Sequence, residues 1–266
     1  MKLSWRGVAL AVVLAVVALP VACSLSDRPG AVGWRLVLEV SAEGSTPSLA
    51  ELMEKARWTI ENRLRCYGLK GPKLEIEADN RIVAHVYGAD NQALVKDLIL
   101  AGGRFEFHLV DEEHEVAPAL AQGPPPGLYL AYGEKADPAT GRVTRVPFLL
   151  EEKPLMTGVY INRAEAVVDK DLDQPYVLIE FDAEGGELFE KITGYNLGRR
   201  LAMVVDGRVL SAPVIQEKIG GGTARLIGGF NLDEAKVLAA VLQTGPLPAP
   251  VRVLEEKLVG GPESNE

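Results

Sequence analysis

Residues 34–40 read WRLVLEV, with an apolar side chain at every second position. A period of two is typical of a strand that buries one of its faces. In the stretch that follows, residues 49–64, the apolar side chains recur at the three- and four-residue spacing of a helix, and residues 45–48 supply a helix start. The pattern therefore predicts a strand and a helix that share one apolar core.

The same alternation continues downstream and predicts a hairpin. Residues 74–77 and 81–87 alternate on either side of a turn at 79–80, and a second helix is predicted at 91–100. Residues 104–110, RFEFHLV, alternate again and are assigned to a fourth strand of the same sheet. The order strand, helix, strand, strand, helix, strand is typical of a ferredoxin-like split βαβ unit, so the predicted fold class is α+β.

The rest of the chain predicts a further α+β unit. Residues 111–174 include GPPPG at 123–127 and show weak periodicity, which favours an inserted, loop-rich connection. The pair Asp206-Gly207 predicts a two-residue hairpin, because such turns need positive φ at both positions. Further elements are predicted at 176–181 (strand), 183–192 (helix), 232–242 (helix) and 251–254 (strand).

The N-terminus has the pattern of an export signal. Lys2 and Arg6 precede an uncharged apolar run at 7–22, so residues 1–26 are interpreted as a signal peptide or membrane anchor. The run is shorter than the roughly 20 residues that span a bilayer. Cys23 is a tentative lipidation site, although the match to a lipobox is imperfect. Lipoprotein, uncleaved anchor and ordinary cleavage stay open, and each places the chain on the extracytoplasmic side of a membrane.

Composition argues against several classes of function. With 28 basic and 37 acidic residues the formal net charge is −9, which disfavours nucleic acid as a partner. No cofactor is expected, because the glycine run at 220–222 lacks the Gly-Lys-Ser/Thr of a phosphate loop. Three histidines and no nucleophile elbow give no indication of an enzyme. Cys66 ends a helix pattern and is interpreted as a small buried residue.

Three residues are weak candidates for a metal site or an acid–base pair. If the first strand lies between the third and fourth, Glu39 would lie between His85 and His108. The alternative is a solvated outer face of the sheet, and we adopt it because no further ligand is evident.

Several stretches are similar to the first periplasmic domain of the SecD family, which consists of a base and a head subdomain. In the base these are Ile60–Leu64, Tyr67–Leu69, Arg81–Val83 and Gly103–Val110. In the head they are Leu201–Ile215, Gly228–Lys236 and Leu242–Pro250. Two departures stand beside the resemblance: residues 31–34 replace the family's Asp-Leu-x-Gly-Gly, and the membrane channel portion that follows residues 255–256 in the family is not expected here.

The resemblance implies a division of the chain and a function. The base is expected at 34–111 plus 251–258, the head at 112–250 and a flexible tail at 259–266. The implied function is a non-catalytic accessory of protein export that binds unfolded or emerging polypeptide on the outer side of the membrane. The implied partners are that polypeptide, a Sec-type translocation channel subunit and the membrane through the N-terminus. Which residues bind polypeptide is unknown from the sequence.

Two alternative functions stay open. The first is a structural partner that docks through the open face of its sheet onto a channel subunit, or onto a second copy in a homo-oligomer. The second is a metal-binding protein or an enzyme, which would use the histidine candidates named above. Fold-level resemblance is the main support for the export function, and it is weaker support than a visible site.

Overall fold

The computed structural model describes residues 33–41, 48–77, 80–89, 91–136, 140 and 142–260. The predicted leader at 1–26, with Cys23, and residues 261–266 of the predicted tail lie outside this set. The helices are α1 (Leu49–Tyr67), α2 (Gln92–Leu100), α3 (Val116–Gln122), α4 (Ala183–Tyr195) and α5 (Leu232–Thr244). The strands are β1 (Gly33–Val40), β2 (Lys73–Glu77), β3 (Arg81–Tyr87), β4 (Phe105–Leu109), β5 (Leu128–Ala136), β6 (Val143–Glu151), β7 (Met156–Thr157), β8 (Ile161–Asp169), β9 (Gln174–Phe181), β10 (Leu201–Val205), β11 (Arg208–Ser211), β12 (Thr223–Leu226) and β13 (Val251–Val259).

Four antiparallel strands in the order β13-β1-β3-β2 form what we call the base sheet. Helices α1 and α2 cover one face, because alternate strand residues are apolar and meet the apolar stripes of the helices. Fully buried side chains in this core include Leu36, Leu38, Ile60, Leu64, Ile82 and Leu98. Burying one such side chain stabilises the fold by about 1.5–3 kcal/mol. The predicted α+β class is confirmed, and the first three strands and two helices of the predicted split βαβ unit occur in the expected order.

Helix α1 begins and ends at residues that local chemistry favours. The Ser48 hydroxyl accepts a hydrogen bond from the Glu51 amide, and the Glu51 carboxylate accepts one from the Ser48 amide, which is a complete capping box. Gly68 ends the helix at a φ of 109°, a conformation that glycine adopts readily. The prediction that Cys66 is buried is wrong: it lies about 200° around the helix from the buried Leu64 and is exposed.

The assignment of residues 104–110 to the base sheet is also wrong. Strand β4 pairs with β10 in another sheet, and β13 takes the place beside β1. The residues of β4 are buried on both faces, including Glu106 and His108, whereas the base sheet has helices on one face alone. Phe105, Phe107 and Leu109, expected in the first core, therefore belong to a second one.

The second sheet, here called the head sheet, has the order β6-β5-β11-β10-β4-β7. Strands β10 and β11 form the predicted hairpin, with φ of 50° at Asp206 and 78° at Gly207. Residues 111–174, expected to be loop-rich, instead form α3 and strands β5 to β8, including a hairpin of two nine-residue strands. A bridge between Val110 and Leu150 brings β6 back beside the end of β4, so the sheet curls on itself.

Helix α5 lies between the two parts of the molecule. Its Ala240 belongs to the base core, while Ala235, Ala239 and Leu242 belong to the core formed by the head sheet, α4 and a small sheet of order β12-β9-β8. The helix begins after Asn231, which forms a second capping box with Glu234. One helix therefore carries apolar residues of both cores.

Within the described part of the chain, no helix is both long enough and apolar enough to cross a membrane. The longest, α1, has 19 residues but carries charged residues along its exposed side.

Candidate functional site

The three weak metal candidates do not meet. Glu39 and His85 lie on the base sheet, where Glu39 forms an ion pair with Arg252 and His85 lies opposite Arg35. His108 lies on β4 in the head sheet. Across the described residues, no three His, Cys, Asp or Glu side chains are grouped closely enough to hold a metal ion. The expected juxtaposition fails because β13, and not β4, is the neighbour of β1.

His108 is instead part of a buried polar group within the head sheet, and it is 2% exposed. Its Nδ1 lies 2.8 Å from the Glu151 carbonyl oxygen and therefore donates to it. Its Nε2 is 3.6 Å from a Glu106 carboxylate oxygen and has no hydrogen-bond partner among the described residues. The ring of Tyr129 packs edge-on at 5.2 Å, and burial, followed by the charge of Glu106, raises the pKa of Tyr129 to about 12. These contacts hold β4 against the β5–β6 hairpin.

A second buried charge, which the sequence did not reveal, joins the base to the head. The Arg63 guanidinium donates to the backbone carbonyls of Leu98, Ala101, Gly102 and Gly245. Leu98 lies in the last turn of α2, and Ala101 and Gly102 follow that helix on the way into the head. Gly245 follows α5 on the way out. Burial lowers the pKa of Arg63 to about 10. An arginine on the apolar side of α1 was the available signal, because arginine is rarely buried without partners.

The head presents an apolar surface to solvent near the end of α4. Tyr195, Leu197 and Val214 are 87%, 55% and 49% exposed. They lie on two segments, 193–199 and 213–219, that are joined by hydrogen bonds from Gly198 to Ile215 and from Ile215 to Arg199. We call these two segments the α4 surface. Large exposed apolar side chains brought together in this way indicate an interaction site.

Charged side chains frame the α4 surface. A groove of about 490 Å³ is lined by Glu187, Glu190, Lys191, Gly194, Tyr195 and Lys218. The Lys218 amine lies 2.5 Å from a Glu190 carboxylate oxygen, which lowers the pKa of Glu190. Because Gly194 has no side chain, the Lys218 stem can pass close over it, 3.0 Å from the place where a Cβ would lie.

The chemistry of the α4 surface allows several kinds of contact. It combines an aromatic ring, aliphatic side chains and both signs of charge, which can contact apolar and charged groups of a polypeptide without requiring one sequence. Sequence periodicity could not reveal this surface, because it depends on the pairing of 193–199 with 213–219.

Comparison with known proteins identifies the region. Residues 134–249 match the family model for the SecDF P1 head subdomain. The chain is 37% identical over 210 residues to the protein translocase subunit SecD of Calditerrivibrio nitroreducens, covering 78% of this chain and 41% of that protein. It is 36% identical over 234 residues to the SecDF of Thermus thermophilus, covering 86% of this chain and 30% of that protein. The chain thus spans about two fifths of the SecD relative and less of SecDF.

Solved structures agree with the sequence comparison. The crystal structure of SecDF in its super-membrane-facing form aligns with a TM-score of 0.64 at 34% identity, over 86% of this chain and 30% of that one. A second structure, described as that of a membrane component SecDF that enhances protein export, aligns with a TM-score of 0.58 at 34% identity. That alignment covers 83% of this chain and 98% of the other. The chain belongs to the SecD family, and its described fold corresponds to the P1 region of SecDF.

Proposed function

We propose that this chain is a non-catalytic accessory of protein export, and that its head binds unfolded or emerging polypeptide on the outer side of the membrane. The relatives named protein translocase subunit SecD support a role beside a Sec-type translocation channel. A solved relative is described as enhancing protein export. The apolar run at 7–22 supports attachment to the membrane.

The observation that carries the proposal is the α4 surface within the region that matches the P1 head subdomain. Unfolded chains differ from folded ones in exposing apolar side chains, and an exposed aromatic with aliphatic neighbours can bind those side chains. Glu187, Glu190, Lys191 and Lys218 around the groove keep this surface hydrated when no polypeptide is bound.

The test is fluorescence anisotropy of a labelled exported protein, in unfolded and in folded form, titrated with residues 25–266 of this chain. Every described helix and strand lies within residues 33–259, so this fragment keeps all of them. Selective binding of the unfolded form is expected. Equal binding of both forms, or of neither, would contradict the proposal.

Paired variants locate the binding. Tyr195→Ser with Leu197→Ser should weaken the affinity about 30-fold, since truncating central interface side chains costs on the order of 2 kcal/mol. Trp58→Ser with Leu172→Ser is the matched control, because these side chains are 57% and 68% exposed but lie outside the α4 surface. Equal loss in both pairs would show that exposed apolar area anywhere on the chain suffices.

A further inference from the structure

Four basic side chains stand in one row across the base sheet. In β1, Arg35 lies directly opposite Lys257 of β13 on one side and His85 of β3 on the other. His85 in turn lies opposite Lys73 of β2. We call these four residues the basic row. It crosses all four strands, so at the strand spacing of about 4.8 Å it extends roughly 15 Å.

The basic row lies on the open face of the base sheet. Successive strand residues point to opposite faces, and the neighbours Leu36 and Ala84 belong to the core beneath α1 and α2. Arg35 and Glu255, which lie on adjacent strands, approach to 3.8 Å on the side away from that core. Lys73 and Lys257 are exposed, and neither forms an ion pair with any described residue.

A second row on the same face has alternating charges, unlike the basic row. Val37 of β1 and Val83 of β3 separate the basic row from this second row, in which Glu39 lies opposite both Arg81 and Arg252, and Arg81 lies opposite Glu77. Charges there alternate, and Arg252 forms an ion pair with Glu39. Like charges directly opposite one another destabilise a sheet. The basic row departs from this rule in a chain whose net charge is −9, which points to an anionic partner.

The basic row lies at the end of the sheet farthest from the head. The head connects where β1 ends and β13 begins, near Val40 and Val251. Lys257 is six residues along β13 from Val251, or about 20 Å at the rise of a strand. At the row's own end, β1 begins at Gly33, eleven residues after the predicted apolar run at 7–22, a distance of at most roughly 40 Å.

An aromatic side chain lies beside the basic row. Tyr87, two residues beyond His85, lies opposite Gly33, and its ring fills the space that a Cβ at Gly33 would occupy. Tyrosine is enriched where proteins meet the headgroup layer of a membrane, because its ring is apolar and its hydroxyl is polar. An aromatic ring next to basic side chains suits the headgroup layer, where apolar and phosphate groups lie close together.

We propose that the basic row docks the base sheet onto a membrane surface that carries anionic phospholipids. Lys73, Lys257 and Arg35 contact lipid phosphates, and Tyr87 lies at the headgroup level. Docking at this end of the sheet places the membrane contact about 20 Å along β13 from the point where the head connects. This inference rests on the membrane placement in the proposed function and adds the surface and the lipid chemistry.

The test is co-sedimentation of residues 25–266, a fragment without the N-terminal apolar run, with vesicles. The vesicles consist of phosphatidylcholine alone or of phosphatidylcholine with 30% phosphatidylglycerol. Binding is expected to require phosphatidylglycerol and to weaken as salt is raised, since the charges are exposed. Lys73→Gln with Lys257→Gln should lower the partition coefficient about 25-fold, at about fivefold for each lysine near an anionic surface. Lys55→Gln with Lys170→Gln removes the same charge from α1 and from the β8–β9 turn, and should leave partitioning unchanged.

Three outcomes would overturn the inference. They are equal partitioning of the chain onto both vesicle types, equal loss in the two pairs of variants, and a preference for soluble polyglutamate over vesicles, which would mark an acidic protein as the partner. The anisotropy titration, run on the same preparations, is independent, because Lys73→Gln with Lys257→Gln leaves the α4 surface intact. Failure of lipid binding with retained polypeptide binding therefore rejects this inference without rejecting the proposed function.

Discussion

The base sheet and the head sheet bury their faces differently. The base sheet has helices on one face and leaves charged side chains, such as Arg35 and Glu39, on the other. In the head sheet, every residue of β4 and β10 is buried. The head instead exposes apolar side chains at the α4 surface. The base thus displays charged side chains on its open face, and the head displays apolar side chains at the α4 surface, which suits two different kinds of partner.

The largest loss of stability is expected on substitution of Arg63, where the base and the head join. Arg63→Met leaves the carbonyls of Leu98, Ala101, Gly102 and Gly245 without this donor, which should cost about 4 kcal/mol because unpaired buried groups lose their hydration. Urea unfolding of residues 25–266 checks this. The tryptophans of that fragment, Trp34 and Trp58, both lie in the base, so fluorescence reports on the base while far-ultraviolet circular dichroism reports on the whole fragment.

In the variant, the two signals should separate, because the link between base and head is lost. In the wild type they should coincide, since α5 carries residues of both cores. Arg65→Met, which removes an exposed partner of Glu61, is the control and should change stability by less than about 0.5 kcal/mol. Coincident signals in Arg63→Met would show that α5 alone joins the two parts.

An intermediate effect is expected at Asp206, which anchors the head sheet to the segment entering it. The carboxylate accepts hydrogen bonds from the Gly103 and Arg104 amides at 3.0 and 2.9 Å. Asp206→Ala removes both and places alanine at positive φ, so a loss of about 2 kcal/mol is expected. Hydrogen exchange should accelerate in β10 and stay unchanged in β1. Equal acceleration in both strands would mean that the two sheets open together.

Asp206→Asn separates the two causes. Asparagine tolerates positive φ and keeps one acceptor oxygen, so it should recover about half of the lost stability. If Asp206→Asn were as unstable as Asp206→Ala, the negative charge rather than the turn conformation would be decisive.

The smallest change in stability is expected from the ionisation of Tyr129 in the head, at alkaline pH. Burial and the Glu106 charge raise the pKa of Tyr129 to about 12 from a usual value near 10. Because the folded state favours the neutral phenol, the stability that Tyr129 contributes is fully present below pH 10 and declines as pH rises toward 12. Tyr129→Phe should therefore lose less stability than the wild type over that interval in urea titrations. Tyr195→Phe, which alters an exposed ring, should follow the wild type.

Local chemistry predicted much of the fold. The helix start at Ser48, the helix after Asn231 and the turn at Asp206-Gly207 each depend on a few neighbouring residues, and the structure confirms all three. The sheet to which β4 belongs could not be predicted in the same way. Its alternating residues predict a strand, but the choice between β1 and β10 as a neighbour depends on residues more than 90 positions away.

The candidate sites were less predictable than the fold for the same reason. His85 and His108 share a residue type and a strand setting, yet they lie in different sheets. The basic row combines residues from four strands, and no spacing along the chain places Lys73 in line with Lys257. The α4 surface likewise needs two segments that pair in space. Sequence patterns identify elements, whereas these surfaces follow from register and topology.

The bridge between Val110 and Leu150 has a further consequence for the proposed binding of extended chains. An open strand edge offers unpaired amides and carbonyls, and any extended segment can add to it as a further strand. By returning β6 to the end of β4, the head sheet withdraws part of its edge from such pairing. In the proposed function, a polypeptide held by side-chain contacts at the α4 surface can dissociate one contact at a time. A polypeptide that added to the sheet as a further strand would have to break a row of backbone hydrogen bonds and would dissociate more slowly.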